Sequence, residues 1–272
     1  MSEWNFMSPA SKDNLLRVLR QEAEAMFTLA SDPAAWEAPT AAGHWQVRDV
    51  VGHMVDNTEE YFVSFDAARS RGEVKGPLGL TGMAELADSG AQAFRDVPQD
   101  KLLDRLGTDF DKMMDIFGEL TEDDWAGLQV PHKYMGPLPA FFYPIFQLVD
   151  YSVHVWDIRE GTGRAHAMAA EAADLLVPLV FVLWQATASI PPATEPFAVG
   201  VRVTSGHSAG DTRLAVSPDG LSFEPGTVDD LPAVLEFDPA TAVLTSYGRT
   251  NGGTVRGDTR LAERFLNLFF RI

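Results

Sequence analysis

Between Ile190 and Pro196 (IPPATEP) the chain carries three prolines within six residues. Proline has no backbone N–H and a fixed φ, so helices and central strands do not run through such a stretch. The segment reads as a linker. It divides the chain into residues 1–189, dominated by helical periods, and residues 190–272, where strand-like runs take over. At roughly 150 residues per domain, 272 residues suit one large or two ordinary domains.

In the first part, residues 9–30 space apolar side chains at three and four, as an amphipathic helix does. A second helix is expected from Val47 to about Ser70, with Val50, Val51, Met54, Val55, Tyr61, Phe62 and Phe65 on one stripe. Shorter helical stretches follow at 81–96 and 98–118, then a loop at 119–137 rich in Gly and Pro. A very apolar helix is expected over 138–159, and another over 167–188. The expected architecture is an N-terminal four-helix bundle. The last third adds strands at 197–204, 213–216 and 234–237 and a helix from Asp258 to about Phe270, a small α+β module. The fold class is thus α plus α+β.

Charge excludes several partners. With 21 Lys+Arg against 39 Asp+Glu the net charge is −18, and the pI is near 4.6. Nucleic-acid binding needs a basic footprint, and anionic membrane surfaces disfavour such a chain. The longest strongly apolar run, Leu175 to Trp184, has ten residues including Pro178, short for a bilayer span. The first residues, MSEWNFMSPA, lack the pattern of a signal peptide. A cytoplasmic protein, monomeric by default, is the expectation. The chain has no cysteine, so it offers no disulfide, thiolate zinc site or cysteine nucleophile. Any thiol chemistry requires a thiol brought in as co-substrate.

The most informative segment is FFYPIFQLVDYSVHVWDIREGTG, residues 141–163. Its polar exceptions Gln147, Asp150, His154 and Asp157 fall within roughly 80° of one another on a helix. Asp150 and His154 are four apart, so they project from adjacent turns of one face, a spacing that lets one helix supply two metal ligands. The plainer readings are a stripe that meets water and a hydrogen-bonded Asp–His pair. A third ligand would come from elsewhere, and His53 is the best candidate. It lies roughly 130° from the centre of its helix's apolar stripe, beside Gln46, Asn57 and Glu60, which suits a surface residue or a cleft lining. His132, beside Lys133 and Tyr134, lines a cleft mouth or is an ordinary loop residue. His44, His166 and His207 sit in polar, turn-like settings and read as surface.

These residues resemble a known family. Trp45-x-Val47-x-Asp49-Val50-Val51-x-His53 is similar to the second-helix signature of the DinB-like superfamily. More specifically, it resembles the N-terminal metal-binding domain of the mycothiol-dependent maleylpyruvate isomerase family. Asp150-x-x-x-His154-x-x-Asp157, followed by Gly161-x-Gly163, resembles that family's acid-x-x-x-His-x-Trp-Asp segment. The region from about 197, notably Tyr247-Gly248-Arg249 and Val255-Arg256-Gly257-Asp258, is similar to the sterol-carrier-like domain often attached there. The resemblance implies His53, Asp150 and His154 as ligands of a divalent metal, zinc first, with nickel or iron as alternatives. The family's carboxylate is commonly Glu; Asp150 is one methylene shorter. Three protein ligands leave a coordination position open, as catalytic sites do. Asp157 would orient His154 or cap local backbone.

The resemblance also implies mycothiol as co-substrate. Its thiolate would add to an electrophilic carbon of a small substrate. Elimination after bond rotation gives cis–trans isomerisation; displacement or retention of the adduct gives S-transfer. Arg249 and Arg256 are candidates for gripping an anionic substrate, or are surface arginines near a turn. Two other functions fit the same residues: a metal-dependent hydrolase with water at the open position, and a non-catalytic small-molecule binder.

Overall fold

The computed structural model describes residues 3–70, 76–164 and 167–270. The chain forms two compact units, Met1–Ala172 and Ala173–Ile272.

The first unit begins with a 3-10 turn and helix α1 (Lys12–Ala30), followed by α2 (Val47–Ser70) and α3 (Met83–Gln92). Next come α4 (Gln99–Glu119), α5 (Glu122–Gly127), a hairpin of β1 (Gln129–His132) and β2 (Gly136–Pro139), and α6 (Phe142–Gly161). Helix α1 packs on α6, α6 on α2, α2 on α4 and α4 back on α1, which closes a four-helix bundle. The apolar spacing seen in the sequence supplies its core: Leu15, Leu19 and Met26 of α1 and Val50, Met54 and Phe65 of α2 are all buried. Burying each such side chain contributes on the order of 2 kcal/mol against conformational entropy.

Two features fix where α2 and α6 sit. At the start of α2, Asp49 accepts the Gln46 N–H at 2.9 Å and a two-pronged hydrogen bond from Arg95 at 2.7 and 2.9 Å. At the end of α6, Gly161 lets the helix meet another segment closely. A Cβ there would lie 2.2 Å from the Pro39 carbonyl oxygen. The 39–46 segment is thereby held against α6, and the Ala41 N–H donates to the Asp157 carbonyl at 2.9 Å.

The 119–137 stretch, expected as a loop, contains α5 and the hairpin instead. A reciprocal capping box starts α5, with Thr121 and Asp124 each accepting the other's backbone N–H. The hairpin pairs Val130 with Leu138 and His132 with Gly136. The Tyr143 hydroxyl anchors it by donating to the Pro131 carbonyl at 2.8 Å.

The second unit carries most of α7 (Ala170–Thr187), then β3 (Phe197–Val203), β4 (Gly210–Ser217), β5 (Gly220–Pro225) and β6 (Ala233–Phe237). It ends with α8 (Pro239–Ser246), β7 (Thr254–Gly257) and α9 (Thr259–Leu266). The sheet order is β5-β4-β3-β6-β7, with β3 and β6 parallel and the other neighbours antiparallel. Asp238 and Asp258 cap α8 and α9 with their carboxylates. The unit boundary between Ala172 and Ala173 precedes the proline-rich break at 189/190. The reason is aromatic packing: Phe181 and Trp184 of α7 lie against Phe223, Phe265 and Phe269. Helix α7 has the length and composition to cross a membrane, longer than its ten-residue apolar run. Leu175, Leu176, Leu179 and Trp184 are nonetheless buried, as in a core helix.

Candidate metal centre

Helix α2 turns Val50, Val51, Met54 and Val55 into the core and leaves His53, Asp56, Asn57 and Glu60 half-buried on its other side. His53 meets two rings there. Trp45, just before the helix, lies 5.1 Å away between centroids, and His154 of α6 lies 5.3 Å away. Burial, reinforced by the neighbouring His154, pushes the His53 imidazole down to about 3, so at neutral pH it offers a lone pair rather than a charge.

From α6 come Asp150 and His154, one turn apart. One donor atom each from His53, Asp150 and His154 lies within 4.8 Å of the others. Burial raises the Asp150 carboxyl to about 6, opposed by His154 and by the Asn57 hydrogen bond. That bond runs from Asn57 Nδ2 to Asp150 Oδ2 at 2.6 Å and leaves the other carboxylate oxygen for a ligand. His154 Nδ1 lies 2.9 Å from Oδ2 of Asp157. An ionised carboxylate only accepts, so Nδ1 carries the proton and Nε2 presents its lone pair. Asp157 is fully buried, and its backbone is pinned through Ala41. Two imidazoles and a carboxylate, two of them oriented by a second hydrogen bond, suit zinc or a related divalent ion with bonds of about 2.0–2.2 Å.

A family model described as the mycothiol maleylpyruvate isomerase N-terminal domain matches residues 17–159, the span that contains all three donors. The chain belongs to this family. Among solved structures, that of the mycothiol-dependent maleylpyruvate isomerase aligns with a TM-score of 0.60 at 15% identity, covering 91% of this chain and 94% of that one. A mutant of that isomerase aligns with the same TM-score at 14% identity, over the same shares of the two chains. At such identity the likeness is one of fold, and it extends through the α+β unit. No curated protein matches the chain.

The remaining sequence candidates are dispersed. Gln147 does not join the donors; it is buried and donates to Thr58 Oγ1 at 3.2 Å, an interhelical bond. Arg249 and Arg256 belong to the second unit. There Arg256 Nε donates to Glu236 Oε2 at 2.8 Å and Arg249 Nη1 to the Tyr247 carbonyl at 2.9 Å. His44 is exposed and pairs with Asp88 at 2.8 Å. His207 is also exposed, whereas His166 lies outside the described residues. His132 is no exposed loop residue: it is buried at the end of β1.

Three residues around the site were given no role in it from the sequence. Asn57 stands four after His53, so the helical spacing could have found it. Trp45 walls the site, 5.8 Å from the His154 ring as well. Asp88 of α3 accepts the Trp45 indole N–H at 2.8 Å. It stands 43 residues away from Trp45, and no local pattern connects them.

Proposed function

We propose that this protein is a metal-dependent enzyme that employs a low-molecular-weight thiol, mycothiol by family, as its nucleophile. Its reaction is cis–trans isomerisation of, or S-transfer to, a small electrophile. The observation that carries this reading is the meeting of His53, Asp150 and His154 on α2 and α6. A divalent cation held there supplies Lewis acidity and lowers the pKa of a thiol at its open position.

The chain's own residues do the rest. Asp157 holds His154 in the tautomer that leaves Nε2 free. Asn57 holds the Asp150 carboxylate in one rotamer, and the Trp45 indole, fixed by Asp88, shields the two imidazoles from water on one side. Lacking cysteine, the protein has no thiolate of its own to compete with the co-substrate.

The test is a thiol dependence. With maleylpyruvate for isomerisation and an alkyl halide for S-transfer, turnover should require mycothiol. It should fall by about a hundredfold or more in His154→Ala, matching the several kcal/mol a metal ion lends a transition state. Turnover that proceeds equally well without thiol would overturn this reading, and halide release with the alcohol as product would replace it with a metal-dependent hydrolase.

A further inference from the structure

The loop that joins α8 to β7 is built so that glycine follows directly on an exposed asparagine. A Cβ on Gly252 would lie 2.5 Å from Cγ2 of Thr241, and one on Gly253 would lie 2.6 Å from the Phe237 ring and 2.9 Å from the Glu236 carbonyl oxygen. Gly253 also takes a φ of +94°, which residues with a Cβ rarely adopt. The chain thus passes too close to α8 and β6 for a side chain at either position without a shift. Asn251 precedes them and is exposed. Among the described residues its side chain makes no hydrogen bond. The main-chain N–H of Gly252 is held loosely, reaching Thr245 Oγ1 at 3.4 Å.

The other asparagines of the chain, Asn5, Asn14, Asn57 and Asn267, differ from it in each respect. Asn5 Oδ1 accepts the Met7 N–H at 3.1 Å, Asn14 Oδ1 accepts from Arg17 at 2.7 Å, and Asn57 Nδ2 donates to Asp150 at 2.6 Å. Asn267 is exposed, but the N–H that follows it, on Leu268, donates to the Phe265 carbonyl at 3.0 Å. All four precede a residue with a side chain, namely Phe6, Leu15, Thr58 and Leu268, which crowds the main-chain nitrogen. A free side-chain amide, an unhindered neighbouring nitrogen and access to water coincide at Asn251.

We infer that Asn251-Gly252 is a site of spontaneous covalent modification, where the asparagine converts to aspartate and isoaspartate through a five-membered succinimide. Solvent base takes the Gly252 N–H proton. The nitrogen attacks Asn251 Cγ and closes the ring with a new C–N bond, while the Cγ–Nδ2 bond breaks and the side-chain nitrogen leaves, reprotonated, as ammonia. Water then opens the ring. Cleavage between Cγ and the ring nitrogen gives aspartate; cleavage at the main-chain carbonyl gives isoaspartate, whose main chain is one carbon longer. One water enters, one ammonia leaves, and nothing is oxidised or reduced. The product adds a negative charge to a chain already at −18. It lies just ahead of β7, an edge strand exposed at all four positions. The inference is independent of the metal centre and of the proposed function.

The test follows the full-length protein at neutral and at mildly alkaline pH, against a sample taken at the start and against the free peptide Thr250–Arg256. Peptide mapping by mass spectrometry and labelling with an isoaspartate-specific methyltransferase read the product. The expected result is a gain of one mass unit, with isoaspartate, confined to Thr250–Arg256. It should form faster at the alkaline pH, because the Gly252 proton must be lost first. Its rate in the folded protein should lie within about tenfold of that in the free peptide, as in a loop that opens at little cost. Asn251→Ser, a change at an exposed position, should abolish the signal while circular dichroism stays that of the parent. A folded protein that converts more than about tenfold slower than the free peptide would overturn the inference, since the loop would then protect the pair. So would gains shared equally with the peptides that hold Asn5, Asn14 or Asn267, or a rate indifferent to pH.

Discussion

At the scale of residues, the pairing of His154 with Asp157 does the most to define the centre. An imidazole without a fixed tautomer divides its proton between two nitrogens, and a metal must then compete with that proton. The buried carboxylate of Asp157, 2.9 Å from Nδ1, removes the competition and strengthens the basicity of Nε2. Asp157→Leu, close in volume but unable to accept, should weaken zinc affinity by about 10- to 100-fold in chelator competition while His53 and Asp150 are untouched. Equal affinity in parent and variant would make Asp157 a backbone cap and nothing more. Much of this site was legible beforehand. Asp150, His154 and Asp157 share a face because of their spacing, and His53 stood out by falling off the apolar stripe of its own helix. Asp88 was not legible, because its hydrogen bond to Trp45 joins α3 to the segment before α2, and contacts between elements leave no periodic trace. His132 was misread for a related reason. Its burial comes from Tyr61, Tyr143 and Phe146, which belong to other elements.

At the scale of elements, α2 is the one on which the site's precision depends, and its start is set electrostatically. Asp49 is fully buried and faces Arg95. Burial alone would raise its carboxyl, but the Arg95 hydrogen bonds, the Gln46 N–H and the nearby Arg48 together hold it below the usual range. A carboxyl whose folded pKa lies below its unfolded value, about 3.9, contributes stability that is complete above that value and is lost as pH falls through the folded one. The acid limb of the stability curve, below about pH 4, should therefore flatten in Asp49→Asn, read as denaturant midpoint against pH. A limb of unchanged slope would show that other carboxyls carry the acid transition. The boundaries of α2 were readable because an amphipathic stripe runs its whole length. The β1–β2 hairpin was hidden. Its strands have four residues each and include Pro131, Pro137 and Pro139, so the strand alternation never develops and the turn residues dominate the local signal.

At the scale of the whole molecule, the chain forms two compact units that meet at Ala172 and Ala173, ahead of the proline-rich stretch. Helix α7 has no stripe to say which side it serves, being apolar nearly all round; aromatic residues of the second unit pack on it, and His207 and Ser208 hydrogen-bond to its Asp174. In the bundle two imidazoles and one carboxylate converge at a point that a divalent cation would make favourable. The account therefore predicts that metal is a constituent of the folded protein. Elemental analysis of untagged protein, alongside His53→Ala and His154→Ala shown to be folded by circular dichroism, tests this most directly. About one equivalent of zinc or a related divalent ion in the parent, lost in both variants, is the predicted result. A parent that holds no metal, even after incubation with zinc or nickel, would contradict it.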